Sequence, residues 1–195
     1  MRSIKLLLVP ILYVALLPSR AFSQKDFVIT AKNDTVHCKI KMDAFDHIYA
    51  YRAAKNDQYV VIEHKNIKEV FLARDSGTYV FKELPGQFYA TYVRVLETGP
   101  VSLYEEDLKD GNILGDKSTY WFLGKGAEPL VQIKSNSSSS LNIGSVKEGM
   151  KTFVDKLSDC SYVAAELKYA DIDKNYDFDV IRGFIKMYNE KCPGK

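Results

Sequence analysis

The sequence predicts an α+β fold: an N-terminal antiparallel β domain, a sandwich or a partly open barrel, spans residues 24–134, and a small C-terminal helical tail spans 145–195. Three observations predict it. From Phe27 to roughly Ile133, short alternating runs are separated by turn residues about every ten positions. After Ser135–Ser140 (SNSSSS) the apolar period changes from that of a strand to that of a helix. The content of 46% hydrophobic and 12% aromatic residues is that of a chain with a core.

Residues 1–23 precede this domain and read as a signal peptide. Arg2 and Lys5 are a positive n-region, Leu6–Leu17 is an apolar core too short to span a bilayer, and Ala21 and Ser23 place small residues before Gln24. Cleavage is expected between Ser23 and Gln24. No cysteine follows the apolar core, so lipoprotein anchoring has no attachment point, and no stable membrane anchor is expected after processing. Processing removes Arg2, Lys5 and Arg20 and no acids, so the formal charge falls from +2 to −1. That balance lacks the footprint of a nucleic-acid binder.

The strands follow in order. Phe27–Ala31 and Thr35–Met42 flank the turn Lys32-Asn33-Asp34. Ile48–Ala53 and Tyr59–Glu63 flank Lys55-Asn56-Asp57, and Val70–Ala73 and Thr78–Glu83 flank Arg74-Asp75-Ser76-Gly77. Phe88–Leu96 breaks at Thr98-Gly99-Pro100 and resumes at Val101–Tyr104. Tyr120–Leu123 and Leu130–Ile133 close the series around Gly124-Lys125-Gly126. In Tyr120-Trp121-Phe122 both faces are aromatic, so one face is free to cover the tail or to receive a partner.

A Ser-rich linker spans residues 135–144. Val146, Met150, Phe153, Val154 and Leu157 then make a helical stripe, with Ser145 and Glu148 in capping-box spacing. A short helix is expected over Tyr162–Tyr169. A last one carries Ile181, Phe184, Ile185 and Tyr188 and ends near Lys191. Cys160 continues the first stripe and Cys192 the last. If the short helix reverses the chain, the two C-terminal ends meet and Cys160 and Cys192 form a disulfide. Closing a loop of about thirty residues contributes roughly 3–4 kcal/mol. Cys38 shares the apolar side of its strand with Val36, Ile40 and Met42, and is expected to be a buried free thiol.

Catalytic and metal signatures are weak. Asp171–Arg182 places oxygen ligands at alternate positions of a calcium-type loop, but Tyr176 stands where glycine turns the chain and Arg182 where a glutamate closes the shell. His37, His47 and His64 lack zinc spacing and read as solvated surface residues. Glu105-Glu106-Asp107 reads as a charged strand end, since glycosidase acids must oppose one another across a cleft. No G-x-S-x-G elbow and no phosphate-cradling glycine pattern occurs. No catalytic, metal or cofactor-binding residue is assigned.

Phe27-Val-Ile-Thr with Asn33-Asp34-Thr35-Val36, the stretch Val95–Tyr104, Tyr120–Leu123 with Glu128-Pro129-Leu130-Val131, and Tyr188-Asn189-Glu190-Lys191-Cys192 resemble exported proteins of Bacteroidetes bacteria. The resemblance implies a compartment, periplasmic or secreted, and an architecture; it carries no catalytic residues. The expected function is a non-catalytic interaction module of the envelope or secreted space that binds a protein or a surface glycan. The alternative is an exported hydrolase with carboxylates from distant strands. A convergent pocket with two carboxylates, or with a histidine of strongly perturbed pKa, would favour the enzyme, and a flat aromatic or sheet-edge patch without such groups the binder.

Intact-mass analysis of the exported protein is expected to give an N-terminus at Gln24. A mature chain that retains Leu6–Leu17 would contradict this reading.

Overall fold

A computed structural model describes residues 25–42, 48–85, 90–109, 117–136, 143–170 and 178–194. The expected signal segment with Ser23 and Gln24, residues 137–142 of the expected linker and the acidic stretch 171–177 lie outside the described residues. The described elements run β1 (Phe27–Thr30), β2 (Thr35–His37), β3 (Lys39–Met42), β4 (Ile48–Arg52), β5 (Val60–Val61), β6 (Ile67–Leu72), β7 (Gly77–Glu83), β8 (Ala90–Glu97), β9 (Val101–Lys109), β10 (Lys117–Lys125) and β11 (Val131–Asn136). Helices α1 (Ile143–Leu157), α2 (Ser161–Tyr169) and α3 (Phe178–Lys191) follow.

The fold is α+β with antiparallel, sandwich-like sheets. Eight strands form one open sheet in the order β11-β10-β9-β8-β7-β6-β1-β2, and β3-β4-β5 form a second. The run expected as one strand over Thr35–Met42 is divided at Cys38, where the chain passes from the large sheet to the small one. Asp26 accounts for the division. Its carbonyl accepts the Cys38 N–H (3.0 Å), and its carboxylate accepts the N–H groups of Ile40 (3.4 Å) and Ala73 (2.9 Å). The alternation survives the crossing: Val36, Cys38, Ile40 and Met42 all pack with Val28, Ile48, Ile67, Val70 and Leu72.

Register decides which side chains share a face. One cross-strand row reads Val36, Val28, Val70, Tyr79, Arg94, Glu105, Trp121 from β2 to β10. The small sheet covers this face at the Val28 and Val70 end. The helices cover it at the other, where Val101, Leu103, Trp121, Leu123 and Ile133 meet Met150, Phe153, Leu157, Ile181, Phe184, Ile185 and Tyr188. The helical stripes read from the sequence are therefore the faces that complete the sheet's core. Phe153, Leu157, Ile185 and Tyr188 are fully buried there, each contributing roughly 1.5–3 kcal/mol of transfer free energy. Gly149 lets α1 approach closely, because a Cβ there would sit 2.5 Å from the Ile133 carbonyl oxygen of β11.

Polar contacts fasten the helices in place. The Asn189 side chain of α3 acts as a strand partner for the β8–β9 hairpin: Oδ1 accepts the Val101 N–H (2.9 Å), and Nδ2 donates to the carbonyls of Val101 (2.8 Å) and Thr98 (3.3 Å). Gly99, at φ +154°, leaves room for it, since a Cβ there would lie 2.5 Å from the Asn189 Cγ. Arg182 pairs with Glu97 and donates to the Leu96 carbonyl (3.2 Å). At the end of α1, Lys125 contacts Asp159 (2.7 Å) and donates to the Lys156 carbonyl (2.7 Å), while the Tyr188 hydroxyl donates to Asp159 (3.0 Å). A cation at a helix C-terminus is favoured by the helix dipole.

Cys160, between α1 and α2, and Cys192, just after α3, lie at disulfide distance with Cα atoms 6.1 Å apart. Cys38 is a half-buried free thiol whose pKa is pushed up to about 11, first by burial and then by the Asp26 charge. Non-reducing peptide mapping of the protein is expected to recover a Cys160–Cys192 peptide and an unmodified Cys38. Cys160→Ser should lower the unfolding free energy by about 3 kcal/mol. Cys38 alkylation in the folded protein should be slow at neutral pH and rise only towards pH 11, as the thiolate forms. A Cys38 linkage to either partner would overturn the pairing.

Candidate functional site

The face of the large sheet opposite the helices carries its own apolar cluster: Leu84, Val93, Tyr104 and Phe122, with Val80, Val95, Tyr120 and Leu130 against them. Register again explains the set. Glu69 opposes Val80, Val80 opposes Val93, Val95 opposes Tyr104, and Tyr104 opposes Phe122. On this face a cleft of about 390 Å³ opens, walled by β6, β7, β8 and β9 and by the loops before β6 and after β8.

Tyr104 and Lys82 define its chemistry on this face, and His64, Lys68 and Phe81 complete its lining at the edge. His64, in the loop before β6, stacks on Phe81 with ring centroids 4.3 Å apart and planes 11° from parallel. Behind the cleft, on the small-sheet side of the sheet, Phe81 meets the edge of Tyr92 at 5.5 Å, because the two stand two residues from Tyr79 and Arg94 on their strands. The Tyr92 hydroxyl donates to the Ile67 carbonyl (3.2 Å), and burial pushes its pKa up to about 12, so it stays a neutral donor at neutral pH. Lys82 reaches across the sheet to place Nζ 5.2 Å from the Tyr104 ring centre, a cation–π contact. Lys68 is held by a hydrogen bond to Asn33 Oδ1 (2.6 Å). Glu69 supplies the carboxylate among the lining residues, and Thr98 forms part of the rim. Thr98 is itself held by Asn189, so α3 steadies one edge of the cleft.

This lining can stack a ring, donate from ammonium groups and accept at one carboxylate. A glycosidase needs two opposed carboxyl groups, and the described lining residues hold one, Glu69. His64, exposed as the sequence reading expects, also lines the cleft; Glu69, Lys82 and Tyr104 carried no signal of a shared site. Their convergence depends on register across four strands, which a single alternating run does not encode.

The other candidates fall elsewhere. Glu105, Glu106 and Asp107 are inside β9, not at a strand end, because the strand continues to Lys109. Glu105 faces the helix side, accepting from Trp121 Nε1 (3.1 Å) and pairing with Arg94 (3.5 Å). Glu106 is buried, and Asp107 accepts from the Thr119 hydroxyl (2.7 Å). His37 is exposed beside Phe27, and His47 lies outside the described residues. Lys125, at the tip of Gly124-Lys125-Gly126, serves the end of α1. Of the calcium-like stretch, Arg182 is engaged with Glu97 and Asp171–Asp177 is not described. Among the described residues no group of three His, Cys, Asp or Glu side chains is placed to hold a metal, and no helix is long and apolar enough to cross a membrane. No protein-family model, curated protein or solved structure matches this chain.

Proposed function

We propose that the protein is an exported, non-catalytic binding module of a Bacteroidetes cell envelope or of the secreted space, and that it holds a surface glycan in the cleft between β6 and β9. The observation that carries this reading is the lining itself, with Lys82 over the Tyr104 ring on the sheet face and exposed His64 at its edge. Flat aromatic faces beside fixed donors suit the apolar faces and hydroxyls of a sugar ring. A volume of about 390 Å³ suits a small ligand end, whereas a protein partner needs roughly 800 Å² of surface on each side. The leader-like first 23 residues and the cysteine pair at disulfide distance support an extracytoplasmic setting.

Calorimetric titration of the mature protein with a panel of envelope oligosaccharides tests the proposal. At least one is expected to bind, with His64→Ala and Lys82→Gln each weakening it about three- to tenfold, the size of one stacking or cation–π contact. Both side chains sit on the cleft wall, so circular dichroism should be unchanged. Release of cleaved sugar would instead support the hydrolase, and full affinity in both variants would remove the cleft from the account.

A further inference from the structure

A second surface, separate from the cleft, has chemistry that folding does not require. In the small sheet, Lys39 stands directly opposite Arg52, and Lys41 opposite Ala50. Ile40 and Tyr51, one residue along, pack inward against the large sheet, so by alternation the cations face outward. Like charges directly opposed across strands cost stability. Arg52 is nonetheless held in a fixed pose: Nη1 donates to the Lys55 carbonyl (3.0 Å), and its guanidinium lies 4.9 Å from the Tyr59 ring centre. Lys41 Nζ lies over the same ring at 5.5 Å. Exposed Val60 and Val61 continue the patch.

Among the described residues no acid neutralises it. The Asp57 carboxylate is turned to the Ala54 N–H (2.8 Å) within its own turn, and Lys39 and Arg52 have no ion-pair partner among the described residues. Lys41 makes a further contact of its own, so the anion is assigned to Lys39 and Arg52.

We propose that this face binds the carboxylates of an acidic polysaccharide. A sugar ring laid on the exposed part of Tyr59 would present a ring carboxylate to the Arg52 fork, whose planar donors match it, with Lys39 across the ladder. The alternatives fit less well. An added peptide strand needs an edge, and β5 offers two residues. Recognition of anionic lipid takes clusters of about four to eight basic residues, and this face carries Lys39, Lys41 and Arg52.

The test is calorimetric titration of the mature protein with polygalacturonate, and with neutral dextran of matched length. Polygalacturonate should bind, and its affinity should fall as salt is raised; dextran should bind far more weakly. The double variant Lys39→Gln/Arg52→Gln should lose tenfold or more in affinity, and Arg52→Lys, which keeps the charge without the fork, should lose part of it. Because the site is distinct from the cleft, His64→Ala/Lys82→Gln should bind polygalacturonate like the unaltered protein. Absence of binding, or unchanged affinity in the double variant, would overturn the proposal. So would equal, Arg52-dependent binding of polyglutamate or of phosphatidylglycerol vesicles.

Discussion

Everything in this structure depends on burying one face of the eight-stranded sheet, and on doing so with two different covers. Strand side chains alternate, so a slip of one residue would exchange every inward group for an outward one. The register aligns Val28 and Val70 under the small sheet, and Val101, Leu103, Trp121 and Leu123 under the helices. Where the covers give way to one another the row turns polar. Tyr79 donates to Asp75 (2.6 Å), Arg94 donates to the Asp75 carbonyl (3.1 Å) and pairs with Glu105, and Glu105 receives the Trp121 N–H. Burial, and then Asp75, push the Tyr79 pKa above its usual value, so its hydroxyl keeps its proton and remains a donor. Each polar group along the row thus has a partner, as burial requires.

The helices belong to that same core. Asn189 reads the backbone of the β8–β9 hairpin, Arg182 and Lys186 hold Glu97, and Lys125 ties β10 to the end of α1. The stretch Val95–Tyr104 and the stretch Tyr188–Cys192, far apart in sequence, therefore touch. Gly99 is the cost of that contact, a position where a side chain would collide with Asn189.

Much of the fold was legible because local periodicity carried it. The hairpins from β4 to β11 and the buried stripes of α1 and α3 follow directly from alternation, turn residues and helical spacing. Three features were not legible. The change of sheet at Cys38 depends on Asp26, twelve residues earlier, capturing the Ile40 and Ala73 N–H groups. Strand ends were read short where polar residues intervene, so Glu105 seemed terminal although Trp121 and Arg94 hold it inside β9. Ser135 and Asn136, assigned to the linker, complete β11. The cleft was invisible for a deeper reason: Glu69, Val80, Lys82, Val95 and Tyr104 come to one face only through the register of four strands.

With one face sealed by two covers, the two proposed ligand sites lie on the opposite face and on the outer side of the small sheet. The account therefore rests on the helices and the large sheet being one cooperative unit. The direct measurement is native-state hydrogen exchange of the mature protein across a denaturant series, followed by mass spectrometry. Peptides from α1, α3 and β10 are predicted to lose protection together, at the global unfolding free energy. Helical peptides that exchange at clearly lower denaturant, while β10 stays protected, would show that the helices are a separable appendage and would contradict the shared core.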